Sequence, residues 1–280
     1  MYEYDFTVVI PVLNREKYIE KCINSIISQR TSETSIEIII LDGGSTDGTI
    51  EILKKYSDEV YWESILGLGQ TGAIKRGFLK GSGKILSWIN SDDMYLPGSF
   101  SYVKKYFIEH TQTDFVYGNC LYIDEKNSLI KKNTSHSYYL EQLLLYTDFM
   151  LSQESCFWRS KLYHDQGGIT ETVSYAMDYD LFSRIIKNKN CWFIDKDIAV
   201  CRVHKLQRHR EKIGNFTIWN IERAYLQSTR RHIKNPIMTL VLVILLMVYK
   251  NFIIEKKYFP GIDKIFSIAF SKPYKTSSMI

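Results

Sequence analysis

Three runs constrain this chain most: FTVVIPV (6–12), IEIIILD (36–42) and KILSWI (84–89). Each is almost unbroken apolar sequence. Strands of that kind are covered on both faces, as in a parallel sheet with helices above and below. The intervening segments agree: EKYIEKCINSIISQ (16–29) repeats Ile19, Cys22, Ile23, Ile26 and Ile27 at helical spacing, and TIEILKKYS (49–57) and AIKRGFLKG (73–81) read as further helices. VYWES (60–64) reads as a weaker strand between them. Alternation of this kind predicts an α/β fold with a mainly parallel sheet. Ligands of such sheets sit beyond the carboxyl ends of the strands.

Polar clusters stand at those ends. Asn14 and Arg15 follow the first strand, DGGSTDG (42–48) the second and NSDD (90–93) the fourth, so all three converge on one edge. Turn and cap chemistry accounts for Asn, Ser, Gly and Asp at such places. The alternative is that the adjacent carboxylates Asp92 and Asp93 hold a hard divalent cation, and through it a phosphate, while the helix start after DGGSTDG receives an anion. GLGQTG (67–72) matches the dinucleotide fingerprint, with Asp92 twenty residues beyond Gly72. It would suit an NAD-dependent oxidoreductase, but that fingerprint belongs after the first strand of its domain, and two strand–helix units precede it here.

At 280 residues, 45% hydrophobic and 24% charged, the chain suits one large domain or a domain with an appendage. Five scattered cysteines without a Cys-x-x-Cys suggest neither a disulfide framework nor a zinc cluster and fit a reducing cytosol. MYEYDFTVVIP carries acidic residues where an export signal would be basic. The net charge of +5 is uneven, because residues 205–280 carry fourteen Lys and Arg against four Asp and Glu. Inside that tail IMTLVLVILLMVY (237–249) has Thr239 as its one polar residue, and even extended to Ile254 it falls short of the ~20 residues of a span. With basic residues on both flanks, it reads as a helix lying in the cytoplasmic leaflet against anionic lipid, not as a nucleic-acid arm; a true span and a homo-oligomer interface are the alternatives. NFTIWNIERAYLQSTRRHIK (215–234) reads as an amphipathic helix leading there, with Ile218, Ile221 and Tyr225 on one face.

TVVIPVLNR, EIIILDGGSTDGT, GQTGAIKRGF, GKILSWINSDDMYLPG, QESCFWRSKLYHDQGGI and YAMDYDLFSRI, in that order, resemble the inverting family 2 glycosyltransferases of GT-A fold over about residues 5–204, especially bacterial members that build surface polysaccharides. The resemblance implies a GT-A catalytic domain over 1–205, a Rossmann-like sheet flanked by helices, and leaves 206–280 as a helical, membrane-associating extension. It also implies Pro11 and Asn14 at the nucleotide, Asp42 at the base, Asp92 towards the ribose, Asp93 on Mn2+ or Mg2+, His204 near that metal, and Asp178 as catalytic base.

Gln153, Glu154, Trp158 and Arg159 match a block near the sugar pocket, where Trp158 would stack on a pyranose; the other reading is a core Phe–Trp pair and a surface Arg. The activity so implied is metal-dependent, inverting transfer from a UDP-sugar or similar donor to a saccharide or lipid-linked saccharide hydroxyl, at the inner face of the cell membrane. A membrane-attached nucleotide-sugar-binding partner without turnover is the non-enzymatic alternative. The chain departs from the family pattern at Asn90, where Asp is usual, at Leu13, usually aromatic, and at Gly72 and Lys75, commonly Asp and Asn.

Overall fold

The computed structural model describes residues 2–134, 151–170, 173, 175–187, 189–204 and seven positions between 212 and 226. The chain falls into two units, Met1–Arg231 and His232–Ile280. The second, with the apolar segment 237–254, lies outside the described residues.

The first half alternates as predicted: β1 (Tyr4–Val12), α1 (Ile19–Ile27), β2 (Ile36–Asp42), α2 (Thr49–Lys55), β3 (Tyr61–Ser64), α3 (Gln70–Lys80) and β4 (Gly83–Trp88). β3, β2, β1 and β4 lie side by side and parallel. The second half closes the sheet: β5 (Met94–Tyr95), α4 (Ser99–Glu109), β6 (Phe115–Ile123), β7 (Leu129–Asn133), a 3-10 turn at Gln153–Ser155, β8 (Cys156–Arg159), α5 (Ser160–Asp165), α6 (Met177–Ile185) and β9 (Cys191–Arg202). The strand order is β3-β2-β1-β4-β8-β6-β9-β5, with β7 beside β6. β8 runs antiparallel between β4 and β6, which makes the sheet mixed.

The continuous apolar runs arise from burial on both faces. Along β1 and β2, Val8, Ile10, Ile38 and Ile40 meet Ile19, Cys22, Ile23 and Ile26 of α1 and Leu53 of α2. Val9, Ile39 and Leu41 point the other way, to Ala73, Ile74 and Phe78 of α3. α3 lies directly on β1 because Gly77 has no side chain; a Cβ there would stand 2.5 Å from Val9 Cγ1. Each fully buried side chain of this kind stabilises the fold by roughly 1.5–3 kcal/mol.

Pro11 lies inside a central strand, where proline is rare. The Val9 carbonyl accepts the Ile89 N–H, so Pro11, two residues on, faces the same side. The β1–β4 pairing has already ended at Val9↔Trp88, and the missing N–H therefore falls where β4 has turned away.

Two elements differ from expectation. α3 begins at Gln70, so the last half of GLGQTG is the first turn of a helix that follows β3. Of the helix expected over 215–234, Phe216–Thr217 instead pair with Lys212–Ile213 in a two-residue ribbon, while Glu222, Arg223 and Leu226 are helical. Among the described residues no helix is long and apolar enough to cross a membrane.

Candidate active site

β4 delivers Asn90–Asp93 to the carboxyl edge of the sheet, and the end of β9 holds them there. The Arg202 N–H donates to Asp93 Oδ1 (2.7 Å) and the Arg202 Nε to the Asp92 carbonyl (3.3 Å). Arg202 is itself tied to the Asp124 carbonyl (3.1 Å) and Asn127 Oδ1 (2.8 Å) and lies over the Tyr18 ring. His204 Nε2 stands 2.6 Å from Asp92 Oδ2, its ring stacked on Tyr18, and Arg15 Nε is 3.8 Å from the same oxygen. Asn90 donates to Asp93 Oδ2 (3.2 Å) and accepts from Gln70 (2.8 Å), which ties this loop to the start of α3.

A second carboxylate group enters from the turn before β8. Asp93 Oδ, Glu154 Oε and Cys201 Sγ lie within 4.8 Å of one another, all buried. Burial, then Asp92 and Glu154, push the Asp93 carboxyl well above its ordinary range, against the Arg202 N–H and Asn90. Burial pushes Glu154 up to about 7, with Asp178 and Asp92 adding to the shift. Cys201 is held as a thiol by burial and by these carboxylates, and it donates to Glu154. Crowded, buried acids of this kind are relieved by a cation. Carboxylate oxygens suit Mg2+ and Mn2+, so the donor set of Asp93 and Glu154 fits such an ion. His204, with its Nε2 at Asp92, is not one of those three residues.

The neighbouring strand ends form one continuous loop surface. Asn14, at a left-handed φ of 52°, accepts the Thr46 N–H (2.8 Å) on its Oδ1 while its own N–H goes to Ser45 Oγ (2.8 Å). Asp42 is fully buried, and its carboxylate accepts from the Gly44 and Ser45 N–H groups and from the Ser45 and Ser64 hydroxyls. Asp42 therefore ties the loop after β2 to the strand end.

A family model for glycosyl transferase family 2 matches residues 7–168, more than half of the chain. The chain belongs to this family. An uncharacterized glycosyltransferase of Rickettsia typhi is 27% identical over 209 residues, covering 72% of this chain and 64% of its own length. The chain thus spans less than two thirds of that relative. Staphylococcus aureus TarS 1–349, solved with UDP-GlcNAc, has a TM-score of 0.63 at 17% identity, covering 80% of this chain and 66% of that one. The mannosyltransferase PcManGT from Pyrobaculum calidifontis, solved with GDP-Man and Mn2+, has a TM-score of 0.59 at 16% identity, covering 99% and 83%. These likenesses show the GT-A fold.

Within this family 2 chain the YAMDYDL block resolves into two unlike aspartates. Asp180 is buried, paired with Arg184 at 2.7 Å and bonded by the Thr170 hydroxyl at 3.0 Å. Asp178, half-buried in the first turn of α6, lies within electrostatic reach of Glu154, as does Asp92. Thr71, at the start of α3, meets Met177 at 3.3 Å, so α3 touches both α6 and, through Gln70, the aspartate loop.

Trp158 requires correction. It is fully buried between Leu86 and Phe115 of the flanking strands, ringed by Phe78, Trp88 and Phe182, and is not placed to stack on a sugar. Arg159 is no free surface group either, since it donates to the Thr113 carbonyl (2.7 Å) and lies over Phe107. Gln153 is buried and donates to the Trp88 carbonyl (2.6 Å), bracing the end of β4. Pro11 is buried in β1, one step behind the loop surface. The Gly-rich run follows β3, a sheet-edge strand, which removes the structural context that a dinucleotide site needs. Sequence reasoning missed Arg202 and Cys201, whose one signal was their place at the end of a strand that itself went unpredicted.

Proposed function

We propose that this chain transfers a sugar from a nucleoside-diphosphate donor, a UDP-sugar, to a saccharide or lipid-linked saccharide hydroxyl with inversion, in cell-surface polysaccharide synthesis. The observation that carries this reading is the gathering of the buried Asp92, Asp93 and Glu154 at the carboxyl edge of the sheet, with Asp178 within electrostatic reach of Glu154. TarS with UDP-GlcNAc and PcManGT with GDP-Man and Mn2+ share the fold and support the donor class and the metal. Asp93 and Glu154 would hold Mn2+ or Mg2+, with Asp92 turned by His204 towards the ribose. When bound, the cation neutralises charge that grows on the departing diphosphate. Asn14 and the loop after Asp42 would lie along the nucleotide.

Asp178 then takes the proton of the acceptor hydroxyl as its oxygen bonds to the anomeric carbon. The bond from that carbon to the phosphate oxygen breaks on the opposite face, and the diphosphate leaves with the electron pair. Asp180 cannot substitute for Asp178, because its carboxylate is committed to Arg184 and Thr170. The basic, apolar tail suits work on a lipid-linked acceptor at the inner membrane face.

UDP with MnCl2 is expected to raise the melting temperature, by about 2.7 kcal/mol of stabilisation at a hundredfold excess over Kd, and NAD is expected to do nothing. Asp178→Asn should keep that shift and lose roughly 100- to 10,000-fold in transfer. A rise with NAD and none with UDP, or full transfer by Asp178→Asn, would overturn the reading.

A further inference from the structure

Glu222 stands outside the family match, which ends at residue 168, and outside the sheet. Its Oε2 accepts the Tyr175 N–H at 2.7 Å and the Ala176 N–H at 2.8 Å. Those are the last residues before α6, and Asp178 is the second residue of that helix. The backbone groups at a helix start have no partner within the helix and need one from elsewhere. No side-chain cap is supplied from Ala176, the residue that precedes the helix.

The segment carrying Glu222 is anchored beside this contact. Leu226 is buried in the same apolar cluster as Met177, Tyr179 and Leu181 of α6, and the Arg223 guanidinium lies 5.5 Å from the centre of the Tyr179 ring. A carboxylate held this way fixes where α6 begins, and with it the direction of the first-turn side chains.

We propose that Glu222 is a positioning residue for Asp178: by binding two consecutive N–H groups ahead of α6 it sets the angle at which Asp178 meets the acceptor hydroxyl. This rests on the reading of Asp178 as the base. It makes a residue from beyond the sheet part of the machinery of transfer.

The test uses the full-length chain with Glu222→Ala, Glu222→Gln and Glu222→Asp. Both N–H bonds end on one oxygen, so the amide oxygen of Gln can accept them, whereas Ala offers none and Asp is one methylene short. Amide hydrogen exchange at 175–177 is expected to speed roughly tenfold or more in Glu222→Ala and to stay near wild type in Glu222→Gln. With UDP-GlcNAc and MnCl2 as probe, kcat per folded molecule is expected to fall roughly 100-fold in Glu222→Ala at unchanged KM, and to recover in Glu222→Gln. A role in stability alone would lower the melting temperature and leave kcat per folded molecule unchanged.

Wild-type kcat in folded Glu222→Ala, or a loss in Glu222→Gln as deep as in Glu222→Ala, overturns the proposal. Should Glu222→Ala not fold, Glu222→Gln at wild-type kcat with Glu222→Asp impaired in kcat alone upholds it, and any other pattern overturns it. A wild type inert towards UDP-GlcNAc and towards a panel of other nucleotide sugars refutes the functional reading instead, and the exchange result then decides whether Glu222 holds α6.

Discussion

Asp5, on β1, is pushed up by burial, yet Lys104 Nζ at 2.7 Å and the Ser35 N–H at 3.0 Å leave its carboxyl below the ordinary value of 3.8. An acid depressed in the folded state adds stability above its unfolded pKa and loses it as pH falls through the folded one. Asp5→Asn is therefore expected to lower the unfolding free energy by on the order of 1 kcal/mol at pH 7, with the gap closing below about pH 3.8 in paired urea titrations. Asp93 and Glu154 go the other way, first through burial and then through the acids around them. That contrast was half legible in the sequence. The adjacency of Asp92 and Asp93 is visible in the letters, and so is the strand end that bears them. The partners that decide each residue's role are not: Ser64 lies 22 positions from Asp42, and Arg202 lies 109 from Asp93. At Asp42 the letters show a carboxylate at a strand end, but not that it also staples its own loop.

At the scale of elements, β8 shows why the letters left two readings of Trp158 open. CFWR reads as two aromatics beside an arginine, and only the pairing of Leu86 with Trp158 on one side and Phe115 on the other shows the indole to be interior. Its Nε1 has no hydrogen-bond partner among the described residues. Trp158→Phe removes that unpaired donor along with some volume, so a change below about 1.5 kcal/mol is expected, against about 3–5 kcal/mol for Trp158→Ala. Donor KM should be unmoved in Trp158→Phe; a rise there without loss of stability would return Trp158 to the sugar site. β1, β2 and β4 were readable because covered strands carry long apolar runs. β5, β8 and β9 were not, since the first two are 2 and 4 residues long and β9 mixes charge with apolar residues along its outer part.

For the molecule as a whole, the segment after the sheet belongs to the first unit rather than standing apart. Leu226, 4% exposed, shares a cluster with α3, β4 and α6, and Leu226→Ala is expected to cost about 2–4 kcal/mol in chemical denaturation. A loss below 0.5 kcal/mol would detach that segment from the core. The parallel half of the architecture follows from local strand–helix alternation, whereas the placing of β8 between β4 and β6 depends on contacts no short window holds. That placing also has a consequence for biosynthesis. About 70 residues must be made after Leu86 before its partner Trp158 exists, which at roughly 5–20 residues per second takes about 4–14 s. Throughout that interval the nascent chain carries an unzipped apolar rim that can pair with any passing strand, so the ribosome-bound intermediate, rather than the finished enzyme, is the form most in need of a chaperone.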